Sequence, residues 1–190
     1  MSAMRLNEQV GQRLRTLREE RRLSLSELAR RSRLGKATLS ELEAGQRNPT
    51  LETLYAVTTA LGVPLSTVLT DPAAPSPAVD APGGATGPSA DGDAVTAVLL
   101  ERYEGADAVT EVFRVRVRAG AVQHSSAHLP GTVEHLYVLR GTARVGAPAD
   151  GTTAGPGEHA RWAADVPHVY EAPHGEVEGV LFIRYPRSPR

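Results

Sequence analysis

From Ser24 to Glu43 the chain reads Ser-Leu-Ser-Glu-Leu-Ala-Arg-Arg-Ser-Arg-Leu-Gly-Lys-Ala-Thr-Leu-Ser-Glu-Leu-Glu, a stretch that divides into two short helices joined by a tight connection. Ser24 is placed to cap the first. Glu27, three residues on, completes a capping box in which each side chain takes a backbone N–H that the helix leaves unpaired. Leu25, Leu28 and Ala29 then share one face at helical spacing. Gly35 interrupts the pattern. Leu39 and Leu42 resume it on a second helix and leave Lys36, Ala37, Thr38, Ser40 and Glu41 pointing outward. A small, polar, cation-bearing outer face is what a helix needs to enter a DNA major groove and reach base edges.

Glu43-Ala44-Gly45-Gln46-Arg47-Asn48-Pro49-Thr50 follows directly. The carrying positions are Leu23-Ser24-x-x-Glu27-Leu28-Ala29, Thr38-Leu39-Ser40-x-Leu42-Glu43-x-Gly45, Arg47-Asn48-Pro49 and Leu61-Gly62-Val63. On these, residues 7–69 resemble the Xre-type helix-turn-helix of phage repressors and Cro. A plain helical hairpin in a bundle core shares the periodicity, but not this many positions in order. The resemblance implies a five-helix bundle that binds double-stranded DNA at a palindromic operator, as a homodimer. It places Ser26, Lys36, Ala37, Thr38, Ser40, Glu41, Arg47 and Asn48 on the DNA side, and it pairs Arg18 with Glu43 as a structural ion pair.

The flanking residues fit such a bundle. A first helix is predicted from about Asn7 to Arg21, burying Val10, Leu14 and Leu17, while its other arginines read as a solvated face. Thr50 is predicted to cap a fourth helix carrying Leu51, Leu54, Val57 and Leu61, ended by Gly62. A short fifth helix holds Leu65, Val68 and Leu69. Residues 1–71 carry 11 Lys and Arg against 8 Asp and Glu. Residues 72–190 carry 10 against 14, and all six histidines. Cations near phosphates supply the sequence-independent part of DNA affinity, so the first segment is the better nucleic-acid partner.

From 72 to 94 the chain is rich in Pro, Gly, Ala and Ser and loses hydrophobic periodicity, which predicts a linker. From 95 to 190 the period switches to two. Val95–Tyr103 is one strand candidate, and Phe113-Arg114-Val115-Arg116-Val117-Arg118 alternates strictly, arginines on the solvent side. Further strands are predicted at 134–140, 142–146, 159–163, 167–172 and 177–185, with glycines between them. Short strands, glycine turns and no long helix argue for an antiparallel barrel or jelly roll. No apolar run is long enough to cross a membrane and no apolar leader opens the chain. Cysteine is absent. Together these fit a cytoplasmic protein.

This second segment resembles a cupin over about residues 96–186, through Gly120, His128, Pro130-Gly131, Glu134, Val138, Gly141, Gly155-x-Gly157 and Asp165-x-Pro167-His168-x-Tyr170. A cupin with its full motif holds a divalent metal with His-x-His, Glu and a second-motif His, a donor set suited to Fe, Mn, Ni or Zn. Here His128, Glu134 and His168 fall on matching positions, while Pro130 stands where the second histidine of His-x-His belongs. Three readings stay open. The three residues form an open metal triad, or with Tyr170 they line a metal-free effector pocket, or they are satisfied barrel residues. Trp162 and Tyr170 can wall a pocket, although aromatic residues in strands are usually core. His124, His135, His159 and His174 have no motif support.

The combination resembles the Xre–cupin transcriptional regulators, in which the barrel is taken to sense a small-molecule effector. The alternative is an enzyme, since a group of mononuclear iron epoxidases joins the same two folds. In that group a histidine lies four residues before the metal-binding glutamate, where this chain has Pro130.

Overall fold

The computed structural model describes residues 6–70 and 87–187. The chain divides into two compact units, Met1–Pro72 and Ala73–Arg190, and each has its own core.

The first unit holds five helices: α1 (Leu6–Glu20), α2 (Leu25–Ser32), α3 (Lys36–Glu43), α4 (Leu51–Leu61) and α5 (Ser66–Leu69). Their apolar positions converge as the periodicity requires. Val10, Leu14 and Leu17 of α1 are buried with Leu28 of α2, Leu39 and Leu42 of α3, and Leu54, Val57 and Leu61 of α4. Each such side chain contributes about 1.5–3 kcal/mol when fully buried. Ser24 caps α2 by accepting from the Glu27 N–H at 3.1 Å, and Thr50 caps α4 by accepting from the Thr53 N–H at 3.3 Å.

The second half of the expected capping box is not made. The Glu27 carboxylate is taken instead by Arg30 at 2.8 and 2.9 Å and Arg31 at 2.7 Å, which holds its carboxyl down at about 2. Two guanidinium groups one turn ahead outcompete a single backbone N–H.

Nor are the arginines of α1 simply a solvated face. Arg18 makes a bidentate pair with Glu43, Nε–Oε1 2.7 Å and Nη2–Oε2 2.8 Å, tying α1 to the end of α3. Arg21 Nε donates to the Leu61 carbonyl at 2.6 Å and Arg13 Nε to the Thr67 carbonyl at 3.3 Å. Both carbonyls belong to helix ends whose last C=O groups lack intrahelical donors. Gly11 sets how closely α1 and α3 approach: a Cβ there would stand 2.3 Å from the Leu42 carbonyl oxygen and 3.0 Å from that of Glu43.

The described residues of the second unit form ten strands in two antiparallel sheets, a jelly roll. They are β1 (Ser89–Asp91), β2 (Val95–Glu104), β3 (Ala108–Val117), β4 (Val122–Ser125), β5 (Val133–Arg140), β6 (Ala143–Gly146), β7 (Thr152–Ala154), β8 (His159–Ala163), β9 (His168–Glu171) and β10 (Val177–Pro186). One sheet runs β1-β2-β3-β10-β5-β8 and the other β4-β9-β6-β7. Alternate residues of the long strands, such as Phe113, Val115 and Val117 of β3 and Leu181, Ile183 and Tyr185 of β10, are buried, while Arg116 and Arg184 are exposed. Ser89–Asp91 lies inside the stretch read as linker. It is a strand because it pairs with Thr96–Val98 of β2, a hairpin pairing that its composition does not announce. The rest of that stretch up to residue 86 lies outside the described residues. Strands β4 and β7, four and three residues long, were not expected from periodicity.

Candidate functional site

On the helical unit, α3 packs inward through Leu39 and Leu42. Lys36, Ala37, Ser40 and Glu41 are exposed and Thr38 is half-buried. Ser26 on α2 and Arg47 and Asn48 beyond α3 are exposed as well. All eight residues singled out in the sequence are therefore available to solvent. Two of them touch, since Arg47 Nη1 lies 3.5 Å from Glu41 Oε2. Both side chains are about half exposed, at 58% and 49%, so this pair is weak and easily exchanged for another partner.

The barrel site is built from three places in the chain. β5 turns the Glu134 side chain inward, opposite Ile183 of β10 and Trp162 of β8. β9 carries His168 and Tyr170. His128 arrives from the loop before β5, and the route explains how six residues of spacing still bring it to Glu134. Thr132 N–H and Oγ1 both donate to the Leu129 carbonyl, at 3.1 and 2.6 Å, closing a tight turn. Gly131, at φ 75°, supplies the left-handed residue, and its N–H donates to Asp165 Oδ2 at 2.8 Å. The His128 N–H donates to the Ala164 carbonyl at 2.8 Å, and the Ala164 N–H to the Thr132 carbonyl at 2.9 Å. Pro130 is an exposed member of this turn and contributes no donor.

The result is a buried polar cluster. His128 Nε2 lies 3.0 Å from Glu134 Oε1, His168 Nε2 lies 3.3 Å from Glu134 Oε2, and Tyr170 Oη donates to Glu134 Oε2 at 2.5 Å. The two imidazole rings meet edge to face with centroids 4.9 Å apart. Glu134 is 0% exposed, His168 1% and His128 4%. Burial alone would push the Glu134 carboxyl up, but the charge of His168 and the bonds from both histidines hold it far below the usual range. Burial likewise works against a charged His168, and Glu134, with the Val166 carbonyl, raises it instead.

One ligating atom from each of His128, Glu134 and His168 falls within 4.8 Å of the others, all three residues buried. His168 Nδ1 lies 2.9 Å from the Val166 carbonyl, which can only accept, so Nδ1 carries the proton and Nε2 is left for the site. A ring held through its second nitrogen by a backbone carbonyl is the usual support of a metal-ligating histidine. The residues therefore fit a divalent ion as a two-histidine, one-carboxylate set.

His124 and His174 are exposed. His135 and His159 sit together on the outer face of the six-stranded sheet, Nδ1 to Nε2 3.1 Å, away from the buried cluster. Trp162 belongs to the interior, its ring 6.4 Å from His168 and 5.6 Å from Tyr170. Periodicity placed it inward but gave no sign of its proximity to the histidines.

These two units define a class: a helix-turn-helix domain followed by a cupin-like barrel. The HTH_3 helix-turn-helix family matches residues 14–68. The HTH-type transcriptional regulator SutR of Escherichia coli K12 is 33% identical over 178 residues, covering 92% of this chain and 94% of SutR. The immunity repressor protein of Bacillus phage phi105 is 40% identical over 60 residues, 32% of this chain and 42% of the repressor. The crystal structure of an HTH_3 family transcriptional regulator from Vibrio cholerae superposes with a TM-score of 0.77 at 26% identity, over 96% of this chain and 98% of that one. The chain belongs to the HTH-type transcriptional regulators with an Xre-type helix-turn-helix domain.

Proposed function

We propose that this regulator reads a two-fold symmetric operator as a homodimer and that its barrel binds a small-molecule effector at His128, Glu134, His168 and Tyr170, with a divalent metal (Fe, Mn, Ni or Zn) held by the first three. The observation that carries the reading is the convergence of those three ligating atoms in a fully buried cluster of a chain whose other domain is a DNA reader. Lys36, Ala37, Thr38, Ser40 and Glu41 face base edges, Ser26 supports them from α2, and Arg47 and Asn48 take phosphate. Two reading heads are needed because one domain of this kind covers a half-site. When bound, the metal supplies a fixed positive charge for an effector. This chain's residues orient it: Val166 fixes His168, and Tyr170 fixes the Glu134 carboxylate.

Selection from a random duplex pool with the intact chain tests the reading. The expected product is a palindrome with half-sites about one helical turn apart, bound at least about a thousandfold more tightly than random DNA. A pool that enriches nothing overturns it. The two-histidine, one-carboxylate set is also that of non-haem iron oxygenases, which favours an oxygenase as the second reading. Oxygen consumption by the iron-loaded chain with an organic substrate marks that case.

A further inference from the structure

We infer that the indole N–H of Trp162 is the effector's anchor and that the effector is a small organic carboxylate. This rests on the proposed reading of the barrel interior as the effector site. Trp162 is the single tryptophan of the chain. It is 9% exposed, and its Nε1 is fully buried without a hydrogen-bond partner among the described residues. An indole nitrogen can only donate, and a buried donor left unpaired is costly. The groups nearest its ring serve the triad instead: His168 Nε2, itself without a hydrogen-bond partner, is the nitrogen left for the proposed metal, and Tyr170 donates to Glu134. Glu134, directly opposite on β5, receives His128 and Tyr170 and faces His168 with its two oxygens. The Val166 carbonyl is taken by His168. The other buried carboxylate of the barrel, Glu111, accepts from Tyr185 at 3.1 Å and lies on β3, three strands from β8 in the sheet order.

The acceptor missing from the protein is therefore one that a ligand brings. Its charge follows from the donor set. Two neutral imidazoles, one carboxylate and a divalent ion leave a net positive site, and the indole adds a second, neutral, hydrogen-donating point. A carboxylate has one oxygen for each. A neutral amide of the same shape lacks the charge and turns an N–H toward one of the two positions, where it meets either the cation or the indole donor.

Nuclear magnetic resonance of the intact, zinc-loaded, 15N-labelled chain tests this, because one tryptophan gives one indole resonance. The probes are formate, acetate, oxalate and succinate, each beside its amide. At least one acid is expected to move the indole N–H resonance downfield saturably while its amide does not. Calorimetry with Trp162→Phe, which keeps the aromatic wall and removes the donor, is expected to show about 10- to 100-fold weaker binding of that acid, the loss of a hydrogen bond to a charged group. A resonance unmoved by all four acids, an amide that moves it equally, or undiminished binding by a folded Trp162→Phe overturns the inference. If Trp162→Phe does not fold, the wild-type resonance decides alone. Affinity for the selected duplex, measured beside it, separates the two claims. An acid that moves the resonance and leaves DNA affinity unchanged keeps the anchor and defeats the sensor reading. An acid that shifts DNA affinity equally in wild type and Trp162→Phe defeats the anchor and keeps the sensor.

Discussion

Single side chains are expected to divide the work on the proposed DNA face. Lys36 opens α3 exposed, at the N-terminal end of the helix proposed to approach base edges, and is expected to donate to guanine. Lys36→Ala should relax preference at one base pair per half-site by about 1–3 kcal/mol. Equal loss on specific and random duplexes would make Lys36 a phosphate contact only. Arg47 is expected to take phosphate, so Arg47→Ala should weaken binding to every sequence and lower the salt slope by about one. An unchanged slope refutes that role. The Glu41–Arg47 pair, 3.5 Å apart in the free chain, adds a sign: Glu41→Gln releases the cation and should strengthen binding to random DNA, read by anisotropy at low salt.

In the barrel, replacing both histidines by alanine would strand the buried Glu134 charge with few partners. A buried ion pair broken on one side costs about 3–5 kcal/mol, so the near-isosteric Glu134→Gln, after which both histidines can rest neutral, is the cleaner probe. His128, Glu134 and His168 were legible because their motif resemblance survives in the sequence. Their mutual distance was not, since the turn at 129–132 that shortens the path depends on backbone bonds to residues 164 and 165.

Elements reveal what periodicity can and cannot carry. All five helices were legible because caps and apolar spacing are local. The long strands β2, β3, β5 and β10 were legible where two-residue alternation persists over about six residues or more, as from Phe113 in β3, whose first five residues, Ala108–Val112, were not expected. Val122-Gln123-His124-Ser125 has no such run and becomes β4 only through its register with β9. Gly11 is the element-level feature most easily missed, since glycine within a helix ordinarily weakens it. Here it admits α3, and Gly11→Ala places a methyl against backbone that cannot rotate away. Despite a gain in helix propensity, the variant is expected to lose about 1–3 kcal/mol as overpacked sites do. Helical ellipticity should melt earlier while the Trp162 emission transition of the barrel stays in place. A helical transition that is unchanged or raised contradicts the packing account.

For the whole molecule, the charge contrast between the halves and the switch of period announced two units, and the Vibrio cholerae regulator superposes over nearly the full length of this chain. What no sequence pattern states is how occupancy of the barrel reaches the DNA-reading helices. An occupant changes DNA affinity only through its different affinity for the chain's two conformations, with a coupling of about 1–3 kcal/mol in typical cases. The dimer is the expected carrier, and sedimentation at micromolar concentration should show two chains. A monomer that still binds a palindrome tightly contradicts it. The most direct measurement is the Kd of the intact chain for its selected duplex, first stripped with a chelator and then reloaded with one divalent ion per chain, beside Glu134→Gln treated alike. Reloading is expected to change the wild-type Kd by about 5- to 150-fold and to leave Glu134→Gln unmoved. A wild-type chain that holds the ion by elemental analysis and keeps the same Kd, or that takes up no ion at all, contradicts the account.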